Sequence, residues 1–134
     1  MKTESLAAEL ARAEFQRAGT NQAPAYQLAL HTRRPEGEDQ AEAEIDLRGY
    51  TRVAAPRDAS TWTVEGRAAM NAVLIRFPTI TAGRGKATWL SLGIGGRIRR
   101  LIELKEPVSL ALNRRVEFEP GAIRIEEAQS DVPA

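Results

Sequence analysis

Tyr26-Gln27-Leu28-Ala29-Leu30-His31 runs directly into Thr32 and then Arg33-Arg34-Pro35-Glu36-Gly37-Glu38-Asp39. In the first stretch Tyr26, Leu28 and Leu30 recur at every second residue, the spacing that places side chains on one face of a β-strand. The second stretch is polar and contains Pro35 and Gly37, so a strand cannot continue through it and an exposed loop is expected. Working outward from this pair, the same alternation returns repeatedly between turn-forming residues. Ile45 and Leu47 precede Gly49-Tyr50-Thr51-Arg52-Val53, and Pro56 to Ser60 turns the chain toward Trp62 and Val64, giving two further strands. Val73, Ile75 and Phe77 form the next run, ended by Pro78, and Gly83-Arg84-Gly85 reads as the tip of a hairpin leading into Thr88 to Ile94.

Gly93-Ile94-Gly95-Gly96 breaks the chain again. Ile102 with Leu104, then Val108, Leu110 and Leu112, predict two strands split at Pro107, because proline has no N–H to give a ladder. Val116 and Phe118 match Ile123 and Ile125 across Pro120-Gly121, an order suited to a type II turn. The pattern predicts a mainly β fold, an antiparallel β-sandwich or jelly roll of about eight strands, since an open sheet would leave long unpaired edges.

Before this body, Thr3 to Ala18 has helical spacing, with Glu4 in the first turn, Arg17 in the last and Gly19 as the stop. Leu6 and Leu10, and Ala11 and Phe15, lie one turn apart and form a narrow apolar stripe fit for docking on a neighbour or on the body itself. The expected organisation is a helical arm over residues 1–19, a β-sandwich domain over 20–127 and a flexible tail over 128–134. A length of 134 residues suits one hydrophobic core.

Nineteen basic and eighteen acidic residues leave a charge of +1, so no overall field draws nucleic acid or an anionic membrane. The absence of cysteine excludes disulfides and thiolate zinc sites. The charged N-terminal segment resembles neither a signal peptide nor a membrane span, so synthesis and retention in the cytoplasm, or release by lysis, are expected.

Residues capable of chemistry are sparse. His31, the single histidine, lies opposite the Leu28 and Leu30 face and reads as a solvated strand residue. Gly83-Arg84-Gly85-Lys86 fails as a phosphate loop, because Ile80 stands where the first glycine belongs and Ala87 where a Ser or Thr is needed. Glu103, Glu106, Glu117 and Glu119 alternate with apolar residues and point outward rather than converging. No catalytic, cofactor or metal site is expected. Arg97, Arg99, Arg100, Arg114 and Arg115 form the most basic stretch, and with Phe118 as the one nearby aromatic it lacks the stacking residues of a nucleic-acid binder.

The order of Leu28-Ala29-Leu30-His31-Thr32, Gly49-Tyr50-Thr51-Arg52, Trp62, Ile75-Arg76-Phe77-Pro78, Thr88-Trp89 and Phe118-Glu119-Pro120-Gly121-Ala122-Ile123 resembles short phage tail-fibre-type proteins. The resemblance covers Tyr26 to Ile125 and departs from the family pattern at the compact, basic Arg97-Ile98-Arg99-Arg100. It implies a non-enzymatic virion structural protein of the tail or tail-fibre attachment region, made in the host cytoplasm. It would form a homo-oligomer and contact other virion proteins. Leu6, Leu10, Phe15, Arg97, Arg99 and Arg100 are the candidate interface residues. A capsid decoration protein is the alternative, and a receptor- or carbohydrate-binding module a further one, which would need an exposed aromatic platform.

Overall fold

The computed structural model describes residues 25–126 together with Phe15. Its nine strands are β1 (Tyr26–His31), β2 (Val53–Ala55), β3 (Trp62–Glu65), β4 (Ala68–Asn71), β5 (Ile75–Arg76), β6 (Gly85–Ile94), β7 (Arg97–Leu110), β8 (Glu117–Phe118) and β9 (Arg124–Glu126). The chain is mainly β and its sheets are antiparallel, as the alternation requires. Of the helix expected over Thr3–Ala18 only Phe15 is described; Leu6 and Leu10 lie outside the described residues, as does the tail over 128–134. The described residues fall into two compact units, one of residues 25–55 and 76–117, the other of Phe15, 56–75 and 118–126.

In the first unit a four-stranded sheet runs in the order β2-β1-β6-β7. Leu28 faces Leu92 and Leu30 faces Leu90 across β1 and β6, and all four are fully buried. Burying one such leucine contributes about 2 kcal/mol, so this quartet is a principal driving force for the sheet. The opposite face carries Ala29, His31 and Ser91, also without solvent exposure. That second face is covered by the polar loop. Thr32 N donates to Ala43 O at 2.8 Å, Gln40 N to Gly96 O at 2.9 Å and Ile45 N to Leu30 O at 2.9 Å. The loop expected over Arg33 to Asp39 is exposed except at Pro35, and the chain turns inward directly after it, where Gln40 has no exposed surface. Gly93 permits the close approach, since a Cβ there would stand 2.5 Å from the Gln40 side chain and 2.7 Å from Arg97 O.

Strand partners differ from expectation. β6 forms its hairpin with β7 across Gly95-Gly96, not with the Val73–Phe77 run, whose short strand β5 pairs with β8. Alternation marks a strand but is common to all of them, so it cannot choose the neighbour. Nor does Pro107 split the chain into two strands. Trp89 faces Glu103 and Ala87 faces Val108, leaving Leu104 to Pro107 opposite Thr88 alone. Within this bulge the missing proline N–H removes no ladder bond.

In the second unit the sheet order is β3-β4-β9. Trp62 is fully buried, with the Phe15 ring tilted at 56° and 4.8 Å from its own. β4, Ala68-Ala69-Met70-Asn71, escapes a sequence reading because small residues carry little strand preference, and it is held by partners on both sides. The expected pairing of Val116 and Phe118 with Ile123 and Ile125 is corrected too, since β9 pairs with β4 and β8 with β5. The turn between them does follow expectation: Ala122 N donates to Glu119 O at 2.9 Å and Gly121 has φ 86°, the type II arrangement.

Asn71 organises this unit. Its Nδ2 donates to Val73 O at 2.8 Å, Phe118 O at 3.2 Å and Glu119 O at 2.9 Å, while its Oδ1 accepts from Ile123 N at 2.9 Å. Both ends of one buried amide are thus used to hold the turn against β4.

Candidate functional site

His31 is the first residue to test for chemistry, and the structure corrects its expected environment. Its imidazole is buried, not solvated. Nδ1 lies 2.9 Å from Glu42 O and Nε2 lies 2.8 Å from Ser91 Oγ. A carbonyl only accepts, so Nδ1 carries the proton and donates to Glu42, leaving Nε2 to accept from the Ser91 hydroxyl. Gln40 Nε2 completes the arrangement by donating to Ser91 Oγ at 3.0 Å and to Gln27 O at 2.8 Å. This amide orientation is required, because the reversed one would set Oε1 against the Gln27 carbonyl.

A serine hydroxyl on a histidine nitrogen is also the geometry of an activated nucleophile. Here it is structural. Ser91 and His31 both have no exposed surface, and the group orienting the imidazole is a backbone carbonyl, not a carboxylate. A substrate carbonyl has no route to Ser91 Oγ. Burial pushes the His31 pKa below its ordinary value, against smaller opposing pulls from the Glu42 carbonyl and the Glu44 charge. The ring is therefore neutral at pH 7, as its hydrogen bonds require.

A second polar cluster stands beside it. Glu44 accepts from Arg52 Nε and Nη2, both at 2.8 Å, and from Tyr50 Oη at 2.7 Å, while Leu30 N donates to the same Tyr50 oxygen at 3.0 Å. Burial raises the Glu44 pKa, but the Arg52 fork and the Tyr50 hydroxyl together carry it below the usual carboxylate range. Burial, and then donation to Glu44, push Tyr50 well above its ordinary value. The cluster locks the Gly49–Val53 segment to β1. Among the described residues no group of three or more metal-ligating side chains comes together.

The candidate interface residues are dispersed. Phe15 is turned inward, 1% exposed and against Trp62. Arg97 is exposed at the hairpin turn and pairs with Glu38, whose loop covers that end of the β7 edge through Ile98 N to Glu38 O. Arg99 is exposed and Arg100 half-buried on the same strand. Arg114 lies beyond the other end of β7, so the basic stretch of the sequence is divided by that strand, which with its bulge covers the span of the ten-residue β6, about 33 Å at about 3.3 Å each. Glu103, Glu106, Glu117 and Glu119 are exposed, as expected.

The described aromatic side chains are mostly turned inward. Tyr26 and Trp62 are buried, and Tyr50, half-buried, stacks on Phe77 at 6.2 Å. Trp89 is half-exposed, but the Arg34 guanidinium sits 5.0 Å over its ring and occupies the face a sugar would need. Gln40, Ser91 and Glu42, which organise the buried network, were not singled out by sequence. The available signal was the polar Ser91 within an otherwise apolar run, Leu90-Ser91-Leu92.

No curated protein matches the sequence. The profile of one family, described as Podophage GP4 fiber I protein gp80, matches residues 2–126. That span contains every described strand and reaches beyond the Tyr26–Ile125 resemblance to take in the N-terminal segment. The chain belongs to the Podophage GP4 fiber I protein gp80 family, a family of phage fibre proteins.

Proposed function

We propose that this chain is a non-enzymatic structural protein of a phage virion, placed in the tail or tail-fibre attachment region and acting by assembly with other virion proteins. The family match over residues 2–126 is the observation that carries this reading. The inaccessible His31–Ser91 pair supports a structural role, because this serine–histidine geometry is spent on holding a loop. β7 supports an assembly role: it is the last strand in the order of its sheet among the described residues and the longest of them, 14 residues. Strand edges of this kind accept a neighbour's strand. Pro107, Lys105 and Glu106 in the bulge guard the same edge against indiscriminate pairing. A homo-oligomer is the expected state.

Quantitative mass spectrometry of purified particles tests the placement. A few to a few tens of copies per particle, together with antibody labelling at the tail, is the expected result. Hundreds of copies with labelling over the head would overturn it in favour of decoration, and absence from particles would remove the virion role.

A further inference from the structure

At the open end of the β6–β7 hairpin, opposite its turn and away from the His31 and Glu44 clusters, lies a groove of about 460 Å³ lined by Arg84, Gly85, Lys86, Ser109, Leu110, Ala111 and Arg114. Its cations are Arg84, Lys86 and Arg114, all exposed. Elsewhere Arg33, Arg52, Arg76, Arg97, Arg115 and Arg124 each pair with a glutamate. None of the three groove cations makes an ion pair with a described carboxylate. On a chain whose charge is only +1, three unneutralised cations around one concavity are a local concentration of positive potential.

The backbone fixes this arrangement. Lys86 faces Ser109 and Gly85 faces Leu110 in the β6–β7 register, so residues far apart in sequence form the two walls. Arg114 is tied at both ends, its N donating to Ala111 O at 3.0 Å and its O accepting from Ile80 N at 2.8 Å. Asn113 N donates to Ile80 O at 2.8 Å, closing the same loop onto a residue only 2% exposed. Ala111 supplies a small apolar surface and Ser109 a hydroxyl, while Leu110 is buried beneath them.

We propose that this groove binds a phosphate monoester carried on a body of about monosaccharide size. Two guanidinium forks and an ammonium match a dianion with several acceptor oxygens better than a single carboxylate. The volume falls within the range of about 300–1,000 Å³ usual for small-ligand sites and is far larger than phosphate alone requires. The walls contain no aromatic side chain, so there is no stacking surface for a nucleic-acid base. The proposal does not depend on where the protein sits in a particle.

The test is an amide NMR titration of the full chain with glucose 6-phosphate, glucose, glucuronate, inorganic phosphate and a short single-stranded DNA. Saturable shifts at Lys86, Ser109 and Arg114 with glucose 6-phosphate are expected, with affinity at least about tenfold above inorganic phosphate and glucuronate, and none with glucose. The R84A/R114A double variant should lose at least about tenfold in that affinity, because each charge-assisted bond contributes at least that much, while its shifts elsewhere stay those of the parent. Absence of saturable shifts would overturn the proposal. Equal binding of glucuronate or inorganic phosphate would reduce the groove to an unselective anion patch and also overturn it, as would tighter binding of DNA. An unchanged affinity in the double variant would place the ligand elsewhere.

Discussion

Each of the two units fastens a loop to its sheet with one buried amide, and they do so differently. In the unit of residues 56–75 and 118–126, Asn71 uses both Nδ2 and Oδ1 on backbone partners alone. In the unit of residues 25–55 and 76–117, Gln40 uses only its Nε2, and one of its partners is a serine that serves a histidine. Its Oε1 is buried without a hydrogen-bond partner among the described residues. A fully satisfied amide bound to backbone is insensitive to pH. One linked through Ser91 to His31 inherits the titration of an imidazole.

The largest expected effect is at Asn71. Asn71→Ala leaves several buried backbone groups without partners and should cost about 2–4 kcal/mol in denaturant unfolding. A loss under about 1 kcal/mol would mean that water replaces the amide, and the contrast between the units would fail. Next comes Gly93→Ala, whose methyl group must displace Gln40 or the Arg97 carbonyl and should cost about 1–3 kcal/mol. Hydrogen exchange read separately over β1 with β6 and over β4 with β9 checks where that loss falls, and it should fall in the first pair.

Acidification sharpens the comparison further. Because the His31 pKa is lowered on folding, its contribution is fully present above the unfolded value of about 6.5 and drains away as pH falls through that value toward the folded one. Between pH 7 and pH 5 amides of β1 and β6 should lose protection and those of β4 and β9 should not. Glu44 and Arg52 face the same ring, but Glu44, with its pKa also lowered, contributes its own loss only below the ordinary carboxylate range near 4. The smallest effect is at Arg97. Its ion pair with Glu38 is exposed on both sides, so Arg97→Ala should leave the melting midpoint unchanged, and a clear decrease would show that the loop end depends on it.

Much of the β body was legible from residue letters. Tyr26 to His31 and Thr88 to Ile94 read as strands because their apolar residues alternate, and both are strands. What covers their second face was not legible, because Pro35, Gln40 and Glu42 sit in a run whose composition signals solvent. Burial there is achieved by hydrogen bonding to backbone, which leaves no hydrophobic trace. β4 was hidden for the opposite reason, since its pairing on both sides supplies what its side chains lack. The groove was invisible because Lys86 and Ser109 become neighbours only through a register interrupted by a bulge. Gly83-Arg84-Gly85-Lys86 reads locally as a failed phosphate-loop motif, whereas in the fold it forms one wall of a surface built from two strands.

The division of the chain between units also bears on the order in which it emerges from a ribosome. The β3–β4 hairpin can close as soon as Ala68 to Asn71 is made, but the outer edge of β4 receives Arg124 to Glu126 only after the whole of the other unit has been synthesised. Met70 and Arg124 are 54 residues apart. A nascent chain stopped before β9 therefore displays an open edge at β4, a candidate for capture by chaperones or for premature pairing between chains on one polysome.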